Sequence, residues 1–404
     1  MTTVELVEHA RPTPWTLDTA IGQALATSKI VDAAPDPYTP GVWLLRAGSK
    51  VGAVTVTAPG ADPVSVQITP KVSIARLLFL LGYATDSKGW RNDTVDVQQY
   101  ADLLPALAHA FERQVERALR QGLIQGYRTI EDTALVVRGR IREADQIRRR
   151  FGAAIPVELR YDEFTADTPE NQILRAAVER LLRLPGVPPL VSRRLLHHKA
   201  RLADVSPLVR GVPLPAWRAT RLNARYHQAL HLARAVLRDS SVEHRAGDLR
   251  ISCFLFDMNR LFEDFVTVAL REALTSRHPG GRTVLQARHH LDEANTIRIR
   301  PDLVLYGPDD LPRAVVDAKY KAEKPDGFPE ADLYQMLAYC TALGLGEGHL
   351  VYAKGNAPHA VHQVRGSGIV LHQYALDLDQ PPTALLAEVA DLADAVSAVA
   401  GSSL

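Results

Sequence analysis

Between Val42 and Lys71, apolar and polar residues alternate. Trp43-Leu44-Leu45, Gly52-Ala53-Val54-Thr55-Val56 and Val64-Ser65-Val66-Gln67-Ile68 are separated by Gly48 and by Pro59-Gly60. A period of two predicts strands. The period lengthens over Ser73–Tyr83, where Ile74, Leu77, Leu78 and Leu81 share a helical face. Helical spacing returns over Val97–Leu123, Glu170–Leu184, Val191–Ala203 and Arg221–Leu237, and the proline-rich stretches 185–189 and 207–215 end helices sharply. The pattern predicts a mixed α/β N-terminal domain over 1–130, a mainly helical connector over 131–243 and an α/β domain over 244–404.

In the last region two apolar runs each carry an acid where an aliphatic residue would pack better. They are Ile299-Arg300-Pro301-Asp302-Leu303-Val304-Leu305 and Ala314-Val315-Val316-Asp317-Ala318-Lys319-Tyr320-Lys321, separated by Gly307-Pro308-Asp309-Asp310-Leu311-Pro312. Such a cluster signals a hairpin turn. Closed symmetrically, the hairpin sets Tyr306 opposite Arg313 and Asp302 opposite Asp317. Alternation puts Lys319 on the face of Asp317. Opposed like charges destabilise a strand pair, so a positive group is expected between the acids. A hard divalent cation such as Mg²⁺ meets this need; the bland alternative is a turn residue and a solvated ion pair.

Two helices flank the hairpin. In Met258–Leu270, Leu261, Phe262, Phe265 and Ala269 form the apolar side, and Glu263 shares an edge with Val266 and Leu270. Glu263 is either a further metal or water ligand or a snorkelling surface residue. In Asp332–Tyr339, Gln335 and Tyr339 lie four apart on one face. They suit contact with a DNA backbone or a metal's water shell; a core tyrosine beside a solvated glutamine is the alternative. Strands at Gly348–Tyr352 and Gly368–His372 and a helix over Pro382–Ala400 complete the pattern.

Pro301-Asp302 with Asp317-Ala318-Lys319 fits the PD-(D/E)XK nuclease signature in order and spacing. With Arg138-Gly139-Arg140-Ile141, Tyr161-Asp162-Glu163-Phe164-Thr165-Ala166-Asp167-Thr168-Pro169-Glu170-Asn171-Gln172-Ile173-Leu174, Arg221-Leu222-Asn223-Ala224-Arg225-Tyr226 and Leu261-Phe262-Glu263, the chain resembles the McrC family from about Val42 to Tyr352. The resemblance implies a restriction-endonuclease-like domain over 244–404 with catalytic Asp302, Asp317 and Lys319. It implies one or two Mg²⁺ ions, replaceable by Mn²⁺, on Asp302 and Asp317, with Glu263 a further candidate ligand and Gln335, Tyr339 and Lys321 in support. It also implies double-stranded DNA containing modified cytosine as substrate, and a McrB-like hexameric AAA+ GTPase as partner, docked by the front domain and stimulated by it. Alternatives are a subunit that chiefly docks and activates, or a free-standing repair nuclease.

Composition narrows the field. The 404 residues exceed the size at which single cores stop growing. Two cysteines, Cys253 and Cys340, exclude a disulfide framework or a zinc cage. No apolar run approaches a membrane span and the start lacks a secretion signal, so a cytoplasmic location is expected. The absence of a Gly-x-x-x-x-Gly-Lys-Ser/Thr motif leaves the chain without a P-loop of its own, and no Gly-x-Ser-x-Gly elbow is present. Net charge is only +1, yet Arg138, Arg140, Arg142, Arg148, Arg149 and Arg150 crowd one stretch, either as a basic surface for DNA or an acidic partner or as a solvated helix face.

Overall fold

The computed structural model describes residues 2–58, 60–85, 102–151, 153–184, 186–209, 211–238, 244–246, 249–277, 280–320, 330–353 and 359–400. It divides into two compact units, Met1–Leu107 with Asp239–Leu404, and Ala108–Arg238. Most of the front domain expected over 1–130 therefore shares one unit with the domain expected over 244–404, while residues 108–130 fall in the other. The reason is a strand pairing: Leu249–Asp257 runs antiparallel to Lys50–Thr57, from Arg250 opposite Thr57 to Asp257 opposite Lys50. The segment expected to open the nuclease domain completes the front sheet.

That sheet runs in the order Thr2–Val7, Val64–Thr69, Lys50–Thr57, Leu249–Asp257, His244–Ala246. Its alternation is the one read from sequence: Val54 and Val56 are buried with Val64, Val66 and Ile68. Three shorter strands, Thr13–Thr16, Val42–Ala47 and Val31–Pro35, form a second sheet beside the helix Thr19–Ser28, which Asp18 caps through the Ala20 N–H at 2.8 Å. This first stretch carried little sequence signal.

A six-stranded mixed sheet follows in the order Arg282–Leu285, Leu303–Tyr306, Pro312–Lys319, Glu347–Ala353, Val370–Leu376, His359–Gln363. Pro312–Lys319, Glu347–Ala353 and Val370–Leu376 are mutually parallel, and the helix Glu330–Leu343 makes the crossover between the first two. A crossover of this kind is what parallel neighbours require. Val304, Val315, Leu350, Tyr352 and Leu371 pack under that helix against Met336, Tyr339 and Cys340. The long helix Met258–Arg277 buries Leu261, Phe262, Phe265 and Leu270, with Phe265 edge-on to Phe79 and Tyr83 of the Ile74–Thr85 helix. Buried Glu8 accepts from the Lys71 N–H at 3.2 Å and the Tyr320 hydroxyl at 3.0 Å.

The second unit holds most of the Leu103–Leu119 helix with helices Pro169–Leu181, Pro189–Arg201 and His227–Arg238. It was expected to be mainly helical, yet it also contains a three-stranded sheet of Gly126–Ala134, Val157–Thr165 and Arg140–Ile141. No residue of Gly126–Ala134 is buried, and in Val157–Thr165 only the first three are, so their sequence lacks the regular apolar alternation of a half-buried sheet. The last helix begins later than its periodicity suggested. Asn223 takes the Thr220 N–H at 2.8 Å and donates to Arg218 O at 2.8 Å and Glu170 Oε1 at 3.0 Å, local bonding that competes with a helical start.

Gly52 has φ +130°, and a Cβ there would lie 2.1 Å from the Phe254 carbonyl oxygen. Only glycine fits this close approach of two backbones. Gly52→Ala is expected to cost about 2–3 kcal/mol, read as a lower urea midpoint with unchanged slope; a loss under about 0.5 kcal/mol would mean the pairing of the two segments is not as described.

Candidate active site

The hairpin forms with the predicted register near the acids. Leu303 faces Val316, Val304 faces Val315 and Leu305 faces Ala314. At the far end it departs: Tyr306 pairs with Pro312, not Arg313. The turn explains the shift. Asp310 adopts φ +61°, the Gly307 N–H donates to Leu311 O at 2.9 Å, and Asp309 takes the Leu311 N–H at 3.2 Å, so one residue is absorbed as a bulge.

Asp302 sits immediately before its strand, and its carbonyl accepts the Gln286 N–H at 2.9 Å. Its carboxylate accepts the Ala318 N–H at 2.8 Å and the Gln286 side-chain amide at 2.7 Å. That same amide also donates to Glu263 Oε1. Asp317 lies in the middle strand at 2% exposure, and its Oδ2 is 2.5 Å from Lys319 Nζ. The hairpin thus brings Asp302, Asp317 and Lys319 together, and Glu263 of the Met258–Arg277 helix meets Asp302 through the shared Gln286 amide. Lys321 lies outside the described residues.

Gln335 and Tyr339 also reach this face, but chiefly to each other. The Gln335 amide donates to the Tyr339 hydroxyl at 2.7 Å; Tyr339 is buried, and Gln335 is exposed. The Tyr339 hydroxyl is also 3.5 Å from the Arg300 carbonyl. Gln286 is the residue that sequence reasoning missed. It ends the run Thr283-Val284-Leu285 and holds φ +53°, uncommon for a residue with a side chain, but no spacing ties it to the acids.

Electrostatics follow from burial. Desolvation is the largest influence on Asp302, opposed by the Ala318 N–H and joined by the Glu263 charge, and pushes it up to about 6. Desolvation, then the charge of Asp302, pushes Asp317 up to about 7 despite Lys319. For Lys319, burial works downward, but Asp317 and then Asp302 outweigh it and raise it. Burial and the charge of Asp317 move Tyr339 up to about 12. Among the described residues, no group of three His, Cys, Asp or Glu side chains is placed to hold a metal ion.

The McrBC family model, described as a 5-methylcytosine restriction system component, matches residues 45–353. The chain belongs to the McrBC family. No curated protein matches it in sequence. Among solved structures, a half-complex of Thermococcus gammatolerans McrB AAA+ hexamers with bound McrC contains a chain 18% identical, covering 98% of this chain and 100% of its own, at TM-score 0.57. A cryo-EM structure of the Thermococcus gammatolerans McrBC complex contains one 20% identical, covering 68% and 88%, at TM-score 0.40. The first likeness shows a shared fold. The hairpin acids and the Gln286 clasp fall within the span matched by the McrBC family model, which ends at residue 353.

Both aspartates have folded values above those of an unfolded chain, near 3.9. Their contribution to stability is therefore full below about pH 4 and is lost as pH rises through about 6 and 7. In metal-free buffer, the Asp302→Asn/Asp317→Asn variant is expected to gain about 2–4 kcal/mol on the parent between pH 4 and 8, measured by chemical unfolding. Parallel pH curves would contradict the burial of the pair. Buried Glu8, common to both chains, cancels in the difference.

Proposed function

We propose that this chain is the metal-dependent DNA endonuclease subunit of a modification-dependent restriction system, with a PD-(D/E)XK-type catalytic domain. The observation that carries the reading is the convergence of two buried aspartates and a lysine on one face of the mixed sheet. The donor set fits Mg²⁺, or Mn²⁺ in its place: Asp302, Asp317 and Glu263 offer hard carboxylate oxygens, and Mg²⁺ asks for only one or two carboxylates besides its waters. When bound, such an ion polarises a phosphoryl oxygen and lowers the pKa of a coordinated water.

The chain's own groups do the rest. The Ala318 N–H and the Gln286 amide fix the Asp302 carboxylate, as outer partners orient metal ligands. Lys319, with its pKa raised beside Asp317, acts as an ammonium that offsets charge on the phosphorane-like transition state, rather than as a base. Tyr339 and Gln335 border the face where DNA would lie.

The partner in this reading is a McrB-like AAA+ GTPase, which also selects DNA containing modified cytosine. McrC is bound to McrB AAA+ hexamers in the Thermococcus gammatolerans assembly. Docking was expected of the front 130 residues, but the exposed apolar side chains favour the Ala108–Arg238 unit. Tyr127, Leu135, Val136, Val137, Ile141, Ile147, Phe151 and Phe164 are all exposed there. Beside them is a groove of about 840 Å³ lined by Arg138, Arg140, Arg160 and Tyr161, with Arg140 directly opposite Arg160. Apolar surface of this extent marks protein contact.

Two outcomes test the reading. Asp317→Ala or Lys319→Ala should each lower cleavage of modified DNA by about a thousandfold or more, with partner binding retained; cutting at the parental rate by either would refute the site. Val136→Asp/Val137→Asp should abolish stimulation of the partner's GTPase while the melting temperature holds, because both residues are exposed. Normal stimulation would move docking elsewhere.

A further inference from the structure

Between Gln286 and Asp302 the chain makes a small antiparallel ribbon, with His289 opposite Ile299 and His290 opposite Arg298. Its two faces differ. On one, His289 Nε2 lies 2.9 Å from the Tyr306 hydroxyl and Ile299 packs against the core under the Glu330–Leu343 helix. This anchors the ribbon on the catalytic face of the sheet, since Tyr306 and Asp302 are an even number of residues apart. On the other face, Arg288, His290, Arg298 and Arg300 are all exposed. Among the described residues, none of the three arginines is held in an ion pair.

The ribbon's turn is built to stand up. The Asp292 carboxylate accepts the Thr296 N–H at 3.0 Å, the Ile297 N–H at 2.7 Å and the Thr296 hydroxyl at 2.6 Å, and the Leu291 N–H donates to Ile297 O at 2.9 Å. One acid of the turn is thus occupied by the backbone; Glu293 alone remains free to oppose the arginines locally. The outward row ends two residues before Asp302, and the Arg300 carbonyl touches the Tyr339 hydroxyl. A row of unpaired guanidinium groups leading into a pair of acids attracts a polyanion and holds it at the acids.

We infer that the outward face of the 288–300 ribbon binds the phosphodiester backbone of duplex DNA and guides it to the acids. The inference rests on the nuclease reading for its purpose but on the ribbon's own geometry for its contact. A two-stranded ribbon is of a size that lies against or in a DNA groove, and arginine matches phosphate bidentately.

The test uses the full chain in metal-free buffer and a labelled duplex of about 30 base pairs, with affinity followed by fluorescence anisotropy across salt concentrations. Arg288→Gln/Arg298→Gln/Arg300→Gln is expected to weaken binding about tenfold or more at about 50 mM salt and to make the log–log salt slope less steep by about 2 to 3. The corresponding triple lysine variant should keep the slope, because a phosphate contact survives as a point charge. Unchanged affinity and slope in the glutamine variant, with its melting temperature intact, would overturn the inference; so would the absence of saturable binding by the unaltered chain. The two readings fail separately. Cutting lost in Asp317→Ala with ribbon variants indifferent leaves the nuclease and removes the ribbon, whereas ribbon-dependent binding with Asp317→Ala cutting normally does the reverse.

Discussion

Two carboxylates that repel each other are held side by side in a sheet with little water to screen them. Asp302 and Asp317 are 6% and 2% exposed, and burial raises the proton affinity of both, joined at Asp302 by the charge of Glu263 and at Asp317 by the charge of Asp302. Left to itself, such a pair would turn outward or stay protonated. The fold prevents the first by pairing Leu303 with Val316 inside a strand pair buried over Leu303–Tyr306 and residues 314–318. It then supplies limited compensation: one ammonium on Asp317, one backbone N–H and one side-chain amide on Asp302. Negative charge is left over, and in the reading proposed above a cation would answer it.

How far this was legible in the sequence depends on the range of the interaction. Asp317 and Lys319 are two residues apart in one strand, and alternation alone puts them on one face. Asp302 came within reach because a hairpin register can be counted outward from its turn, and the count held near the acids although a bulge at Arg313 altered it at Tyr306. Gln286 was not legible, since its clasp depends on a separate strand pairing, Leu285 with Leu303, and on a left-handed backbone that no glycine announces. The pairing of Leu249–Asp257 with Lys50–Thr57 was hidden for the same reason. Nearly two hundred residues separate the two strands, and nothing local records their meeting.

The segment 161–174, one of those that carries the family likeness, is largely architecture. Thr168 caps the helix that begins at Pro169, its side chain accepting from the Asn171 N–H. Buried Asn171 donates to Ile124 O at 2.8 Å and Ala166 O at 2.7 Å, and Asp167 takes the Ser206 N–H at 2.7 Å and the Gln172 amide at 2.8 Å. Each is a buried or half-buried polar group satisfied by backbone or a fixed neighbour, which fixes loop paths rather than chemistry. Asn171 Oδ1 is itself a buried oxygen without a hydrogen-bond partner among the described residues, so satisfaction of polar groups alone does not set this segment apart from the hairpin acids.

The end of the Pro312–Lys319 strand is held from both sides, and this gives the front sheet a reason to share a unit with the hairpin acids. Lys319 turns toward Asp317, while the next residue, Tyr320, turns to the opposite face, lies tilted against Phe262 with ring centroids 5.9 Å apart and donates to Glu8. Glu8 is fully buried and pushed up to about 7 by that burial, so it too is a group the fold holds at a cost. Phe262 immediately precedes Glu263, the third acid of the site. A shift of the front sheet that displaced Glu8 would therefore act on Tyr320 and, through one peptide, on Lys319, and through Phe262 on Glu263. Such a connection needs no long pathway: it is one hydrogen bond and one ring contact, both made by residues adjacent in sequence to groups in the site.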